Sequence, residues 1–200
     1  VVVGSPKSVS KAYSGGIIGR ADYADLTNLH ANVDVSVNRT SGNWDSVGGV
    51  VGAIYYGSNV VNCSNTGSIS GWRYCAGIVG NIESGAKPST VTGCVNTGTI
   101  TAGSHYAAGI VANLSANCKV TACYNTGAIK AGGNYPAGIV GYANKGSVVA
   151  NCFNLGTVTC NETLTYGSVI GTVSDANAVI KNLYYLDGSC VKGGIGSVKD

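Results

Sequence analysis

The stretch that decides the fold is AGIVG at residues 137–141, followed after eight residues by ANCFNLG at residues 150–156. The same pair of motifs recurs at 48–67, 76–98 and 107–127, and degenerate copies occur near both ends. The second residue of the first motif advances in steps of 33, 28, 32, 29 and 30 residues, at Gly16, Gly49, Gly77, Gly109, Gly138 and Ser168. A fixed period in this range is typical of repeat proteins, in which each unit buries its apolar face only by stacking on its neighbours.

Short apolar segments between glycines predict strands and turns, because β-branched residues favour strands and glycine marks bends. Glycine recurs too often for helices, and the 3.6-residue apolar period of a helix is absent. The sequence therefore predicts an all-β chain, a parallel β-helix or β-solenoid of about six coils of roughly 30 residues each. We expect three strands per coil and the right-handed crossing that is usual for parallel connections.

One repeat domain is expected to span residues 1–200. A lead-in and an atypical first coil occupy 1–45, regular repeats occupy 46–167, and a terminal coil occupies 168–200. Terminal repeats are expected to differ because they cap the stack. The chain contains no methionine and begins with three valines, so we expect it to be a piece of a longer protein that carries other domains.

Composition excludes several classes of function. Charged residues make up 10% of the chain, against about 25% in typical domains, and the net charge is only +3. No basic stripe suits nucleic acid, and no apolar run reaches the length of about 18 residues that a membrane span requires. Neither histidines nor acidic residues cluster, and no motif of a hydrolase or phosphate-binding loop is present. The sequence therefore predicts no enzyme activity, no cofactor and no metal.

A row of cysteines occupies one slot of the repeat, at Cys63, Cys94, Cys123 and Cys152. The same slot holds Leu29 and Leu183 near the ends, which indicates a buried apolar position, where free cysteine packs as a small hydrophobe. A zinc site is the alternative, but a linear row 29–31 residues apart lacks the closed spacing of zinc ligands. A bridge between Cys160 and Cys190 is geometrically conceivable.

A row of asparagines lies two residues after the cysteines, at Asn65, Asn96, Asn125 and Asn154. Asparagine suits tight bends because its amide bonds to nearby backbone and it tolerates turn conformations. We therefore interpret the row as a bend cap, with a polar binding row as the alternative.

An aromatic row recurs three residues before the second glycine of the first motif, at Tyr13, Tyr74, Tyr106 and Tyr135. Trp72 lies two residues before Tyr74 and is expected on the same strand face. The candidate ligand-binding row is therefore Trp72, Tyr74, Tyr106 and Tyr135, because aligned rings with polar rims can bind sugars or protein side chains. The alternative is a purely structural stack, since aligned aromatic residues also stabilise sheets.

The recurring line G-G-I-V-G … N-C-x-N-T-G-x-I resembles the GLUG repeat of bacterial secreted and cell-surface proteins, over roughly residues 12–190. The resemblance implies a β-solenoid in an extracellular setting, secreted or attached to the cell surface. It is found in adhesin-like chains and in the repeat regions of immunoglobulin A protease-like proteins. It implies no single activity and no catalytic residues.

These observations favour a non-catalytic surface module with an adhesin-like binding or stalk role. Its partner would be a glycan or a protein on a host or neighbouring cell. The alternative is the ancillary repeat domain of a secreted enzyme, such as a protease, whose catalytic part lies elsewhere. An ice-binding face is a third class, suggested by Thr99-Ile100-Thr101 and Thr157-Val158-Thr159, but Ala128 and Lys130 interrupt it.

Overall fold

The computed structural model describes residues 2–3, 12–38, 44–83 and 85–199, and these residues form strands and turns with no helix. Its sheets are parallel and stack as a β-solenoid of about five turns. The prediction of an all-β parallel solenoid is thereby confirmed, whereas the count of six coils and the right-handed crossing stay predictions. Most of the lead-in lies outside the described residues, apart from Val2 and Val3, which pair with residues 36 and 37.

Four parallel sheets run along the rod, and the first has four strands where the second and the fourth have six each. The first sheet contains β2 (Tyr13–Gly15), β7 (Ser46–Gly48), β12 (Cys75–Ala76) and β17 (Ala107–Ala108). The second contains β3 (Ile18–Asp22), β8 (Val51–Tyr55), β13 (Val79–Ile82), β18 (Val111–Leu114), β22 (Val140–Ala143) and β25 (Ile170–Val173).

The third sheet has two parallel halves that merge in its last two strands. One half contains β4 (Asp25–Thr27), β9 (Asn59–Val61), β14 (Thr90–Thr92) and β19 (Lys119–Thr121). The other contains β5 (His30–Ala31), β10 (Ser64–Asn65), β15 (Val95–Asn96) and β20 (Tyr124–Asn125). Both halves continue into β23 (Val148–Asn154) and β26 (Val179–Tyr185). The fourth sheet contains β1 (Val2–Val3), β6 (Val35–Val37), β11 (Ile69–Gly71), β16 (Ile100–Ala102), β21 (Ile129–Ala131) and β24 (Val158–Thr159).

A complete coil thus contains five short strands, and the expectation of three strands per coil is wrong. The third sheet is divided by a corner residue in the left-handed region, such as Asn62 (φ 53°), Gly93 (φ 66°) or Ala122 (φ 54°). Asparagine and glycine adopt this conformation at little cost, whereas alanine does not. The corner turns the chain between the two halves of the sheet, and Asn151 (φ 56°) and Asn182 (φ 52°) adopt the same conformation inside the continuous strands β23 and β26.

The core is built from rows of identical or similar side chains in adjacent coils. One row follows the third sheet in register, at Val60, Val91, Val120, Val149 and Ile180. Another follows the fourth sheet, at Ile69, Ile100, Ile129 and Val158. Apart from the partly buried Ile180, these side chains are at most 3% exposed, and full burial of each contributes about 1.5–3 kcal/mol. Both predicted rows are therefore present.

Candidate binding surface along the aromatic column

The cysteine row lies inside the solenoid, at the corner between the two halves of the third sheet. Its four side chains are at most 1% exposed, and all eight cysteines of the chain are free thiols. The backbone N–H of Cys94 donates to Sγ of Cys123 at 3.3 Å, and that of Cys123 donates to Sγ of Cys152 at 3.5 Å. Burial raises the pKa of the Cys123 thiol well above its ordinary value. The row is therefore an internal packing element rather than a surface site.

The asparagine row is also internal, and each side chain is fully buried. The Nδ2 group of Asn96 donates to Oδ1 of Asn125 at 2.7 Å, and that of Asn125 donates to Oδ1 of Asn154 at 2.8 Å. Each Nδ2 group also donates to the carbonyl two residues later, as Asn125 does to Gly127 at 2.8 Å. This geometry caps the bend within each coil and links one coil to the next, and it leaves no amide for a ligand.

The two sequence motifs meet across the interior of each coil. A Cβ atom placed on Gly109 would lie 2.5 Å from Cγ of Asn125 and 2.1 Å from the carbonyl oxygen of Gly138. The same crossing pairs Gly49 with Asn65 and Gly77 with Asn96. Glycine is required at these positions because the asparagine side chain of the same coil lies against it. In the last coil, serine replaces the glycine and tyrosine replaces the asparagine, at Ser168 and Tyr185.

The aromatic row forms a continuous column of rings on the outside of the first and second sheets. The centroids of Tyr74 and Tyr106 lie 4.6 Å apart with an interplanar angle of 9°, and those of Tyr106 and Tyr135 lie 5.3 Å apart at 35°. The rings of Tyr74 and Tyr106 pack over Ala76, Ala108 and other small residues that leave room for them. Stacking brings together three of the four predicted site residues.

These tyrosines adopt an unusual backbone conformation. Tyr74, Tyr106 and Tyr135 have φ values of 45°, 65° and 72°. A bulky residue in the left-handed region is an outlier that costs of order 1–2 kcal/mol. Residues held in such conformations concentrate at sites of function, where the surrounding fold maintains the strain. The column is therefore a better candidate for binding than ring alignment alone would indicate.

Trp72 is not part of the column, contrary to the expectation from its spacing. Residues 72 and 73 form a bend rather than a strand, so the alternation of side chains along a strand does not apply. The Trp72 ring instead lies over Gly103, on the side of the fourth sheet. Trp44 takes its place, because its ring stacks on Tyr74 with centroids 5.7 Å apart at 14°. Position alone indicates Trp44 in the sequence. It lies two residues before Ser46, and Ser46 is the register partner of Tyr13 in the preceding coil.

Stacking determines which parts of the column solvent can reach. Tyr74 has a ring on each face and is only 4% exposed, whereas Trp44 ends the stack and is 49% exposed. Tyr106 and Tyr135 are half-buried. A ligand therefore meets the indole of Trp44 and the edges of the tyrosines rather than a row of open faces.

A chain of amides borders the column on the second sheet. The Nδ2 group of Asn144 donates to Asn113 at 3.2 Å, Asn113 donates to Asn81 at 2.7 Å, and Asn81 donates to Glu83 at 2.9 Å. Asn113 is the register partner of Tyr142, whose ring meets Tyr135 edge-to-face at 5.5 Å. Aromatic edges and hydrogen-bonding amides thus lie side by side along the rod.

We call the column and the amide chain, together with the neighbouring side chains Arg73, His105 and Tyr142, the aromatic–amide strip. Its members are Trp44, Arg73, Tyr74, Asn81, Glu83, His105, Tyr106, Asn113, Tyr135, Tyr142 and Asn144. The sequence revealed the three tyrosines through their repeat position. It did not reveal Tyr142 and the amides, because the register position that holds Asn81 and Asn113 in two coils holds Ala53 and Tyr142 in the coils on either side.

Outward hydroxyls also align on the fourth sheet. Ser70 pairs with Thr101, Thr101 with Lys130, and Lys130 with Thr159. The exposed lysine side chain divides this row, so the surface is not the flat, uniform array that the ice-binding alternative requires.

Among residues 12–38, 44–83 and 85–199 no group of three or more histidine, cysteine or acidic side chains is arranged to hold a metal ion. The same residues include no helix of the length and apolar character that crossing a membrane demands. No protein-family model, no curated protein and no solved structure matches the chain. The resemblance of its repeats to the GLUG repeat therefore stays a prediction.

Proposed function

We propose that the chain is a non-catalytic, extracellular binding module that recognises glycans through the aromatic–amide strip. The observation that carries the proposal is the column of strained tyrosines beside a chain of amides. Sugar binding uses both kinds of group: aromatic rings contact the apolar faces of a sugar, and amides bind its hydroxyls. The parallel stack holds both sets of side chains on its strands or within two residues of a strand end or of the β-bridge at Ala137, which keeps the entropic cost of binding low.

The proposal places the module in a secreted or cell-surface bacterial protein, as the resemblance of its repeats to the GLUG repeat implies. Seven of its eight free thiols are compatible with an oxidising exterior because they are buried and out of reach of oxidants, and Cys160 is partly exposed. A stalk role needs only the stacked rod. A binding role also accounts for the backbone cost that three tyrosines impose. The module serves equally well as an adhesin segment or as the ancillary domain of a secreted enzyme.

The test compares binding of the parent and of a Trp44→Ala/Tyr106→Ala variant on a glycan array and on cell-surface glycans. Both substitutions lie at accessible parts of the strip, and we expect at least a tenfold loss of affinity, on the order of 1.4 kcal/mol. Trp72→Ala and Tyr124→Ala are matched controls, because they remove aromatic rings outside the strip. Tyr124 stacks on Phe153 on the third sheet, with centroids 4.8 Å apart.

Circular dichroism must show that all variants remain folded. If the strip variant retains the parent's affinity for every glycan that the parent binds, the strip has only a structural role and the chain is a stalk. Equal losses in the strip variant and the two controls would also contradict the proposal.

A further inference from the structure

Arg73 lies in the middle of the strip, and no salt bridge joins it to a carboxylate of the residues that the structure describes. Its Cζ atom lies 5.3 Å from the ring centroid of Trp44 and 5.4 Å from those of Tyr74 and Tyr106. Three rings that are equidistant from one atom must curve around it, so the column forms an arc with the guanidinium on its inner side. The Nε–H group of Arg73 is buried and has no hydrogen-bond partner among the described residues.

Arg20 is an arginine of the same protein that has both an aromatic contact and a carboxylate partner. Its Cζ lies 4.1 Å from the ring centroid of Tyr55, so it also contacts an aromatic ring. Its Nε and Nη2 groups, however, donate to the two carboxylate oxygens of Asp22 at 2.8 and 2.7 Å. This two-pronged pairing is the geometry that a guanidinium prefers. Arg73 offers the same fork of N–H groups without a carboxylate from the described part of the chain.

His105 places a second hydrogen-bond donor beside Arg73. Its Nδ1 atom accepts the backbone N–H of Asn134 at 2.8 Å, so in the neutral ring the proton is on Nε2. Burial and, to a smaller extent, the charge of Arg73 lower the pKa of His105, which keeps the ring neutral near pH 7. The ring lies next to Tyr106, with centroids 5.8 Å apart.

We propose that Arg73 anchors the carboxylate of an acidic glycan, a uronic or sialic acid residue, whose ring lies along the aromatic–amide strip. This inference rests on the proposed glycan-binding function and specifies its ligand class. Arg73 is only partly buried, so a ligand reaches its terminal N–H groups although Nε is closed to solvent, and the cation–π contacts leave the guanidinium without a carboxylate. A carboxylate supplies two acceptors in the plane of the guanidinium, and the neighbouring rings and amides suit the rest of an acidic sugar.

The acidic groups near the strip have other roles. Glu83 accepts the Nδ2–H of Asn81 and raises the pKa of Tyr74, as burial does to a larger extent. Asp45 is only 1% exposed and so is closed to solvent. A charge pair held by direct hydrogen bonds in a partly buried place is screened by salt much less than two separated surface charges. We therefore expect binding of the carboxylate to depend on direct hydrogen bonds to Arg73 rather than on long-range attraction, and to persist at physiological salt.

The experiment uses two pairs of probes, each with an acidic and a neutral member. Polygalacturonate is compared with its methyl ester, and sialyllactose is compared with lactose, against the parent, Arg73→Gln and Arg20→Gln. Arg20→Gln is the matched control. It also removes an arginine that contacts a tyrosine ring, but the charge of Arg20 is already paired with Asp22. We expect the parent to bind an acidic probe at least ten times more tightly than its neutral counterpart, a preference on the order of one or two charge-assisted hydrogen bonds.

Arg73→Gln should abolish this preference by lowering affinity for the acidic probe far more than affinity for the neutral probe, and Arg20→Gln should retain the preference. A second readout is the Nε–H resonance of Arg73 in a titration with glucuronate, which should shift and become more protected from exchange. Equal binding of acidic and neutral probes by the parent would overturn the assignment of Arg73 and leave the proposed glycan binding intact. Absence of binding to all four probes, together with an unmoved Nε–H resonance, would overturn both.

Discussion

Removing one rung of the asparagine row should lower the stability of the whole rod. Asn125 takes part in three side-chain hydrogen bonds: one from Asn96 at 2.7 Å, one to Asn154 at 2.8 Å and one to the carbonyl of Gly127 at 2.8 Å. A buried hydrogen bond contributes about 1 kcal/mol net, so Asn125→Ala should cost about 3 kcal/mol. The two neighbouring amides keep other partners, such as the carbonyl of Gly98 for Asn96, so no larger penalty is expected.

A loss of about 3 kcal/mol corresponds to a fall of about 6–12 °C in the melting temperature of a chain of this size. Thermal unfolding by circular dichroism measures it, and Thr126→Ala, an exposed neighbour, is the control. Asn125→Asp adds a test of burial, since it replaces the amide with a carboxyl group of the same shape. Burial raises the pKa of this carboxyl in the folded state above the unfolded value of about 3.9.

The folded Asp variant therefore keeps a proton that the unfolded chain releases. Its stability should be greatest below about pH 4 and should fall as the pH rises, the reverse of an ordinary paired carboxylate. A loss below about 1 kcal/mol for Asn125→Ala, or a pH-independent stability difference between Asn125→Asp and the parent, would refute the view that the row is a buried, fully bonded network.

Three further outcomes follow from the same structure. Gly109→Ala should cost more than about 3 kcal/mol or prevent folding, as judged by soluble yield and melting temperature, because its Cβ would meet backbone 2.1 Å away; normal folding would contradict the crossing of glycine and asparagine. Ala122→Gly should stabilise the protein by about 0.5–1 kcal/mol in urea unfolding, because it relieves a φ of 54°; a destabilised variant would argue against that corner conformation. Native protein should resist thiol reagents at Cys63, Cys94, Cys123 and Cys152, which are at most 1% exposed, and react after unfolding; ready labelling of the native protein would show that the row is open.

The stacking of the core could be predicted because its signal repeats. Each coil places the same residue type in the same slot, and a period near 30 residues aligns Val91 with Val120 and Ile100 with Ile129 without any knowledge of the turns. The five strands of a coil could not be predicted in the same way. The corner conformation is shared by Asn62, Gly93 and Ala122, which are chemically different residues. The same φ occurs at Asn151 and Asn182 inside the continuous strands β23 and β26, so the corner residue alone does not decide whether the segment remains one strand.

The candidate site was predicted only where it also repeats. Tyr74, Tyr106 and Tyr135 occupy equivalent positions, so their alignment follows from the period. Trp72 was assigned to the column on the assumption of an extended strand, and the bend at residues 72–73 turns it towards Gly103 instead. Arg73 belongs to the same bend, and its side chain lies on the other side, within the arc of rings. Single residues outside the repeat depend on local backbone direction, which the spacing of motifs does not contain.

The cysteine row has a physical role that leucine cannot supply. At the corner of each coil the ladder of backbone hydrogen bonds is interrupted, and the N–H of one coil finds its acceptor in the thiol of the next, as Leu29 does with Cys63 at 3.5 Å. Sulfur is a weak acceptor, but an N–H buried without any acceptor would cost about 1–3 kcal/mol. Free thiols therefore persist in the interior because they both fill the core and satisfy the corner, and a disulfide would remove the S–H donor that reaches the carbonyl of Thr121 from Cys123 at 3.2 Å.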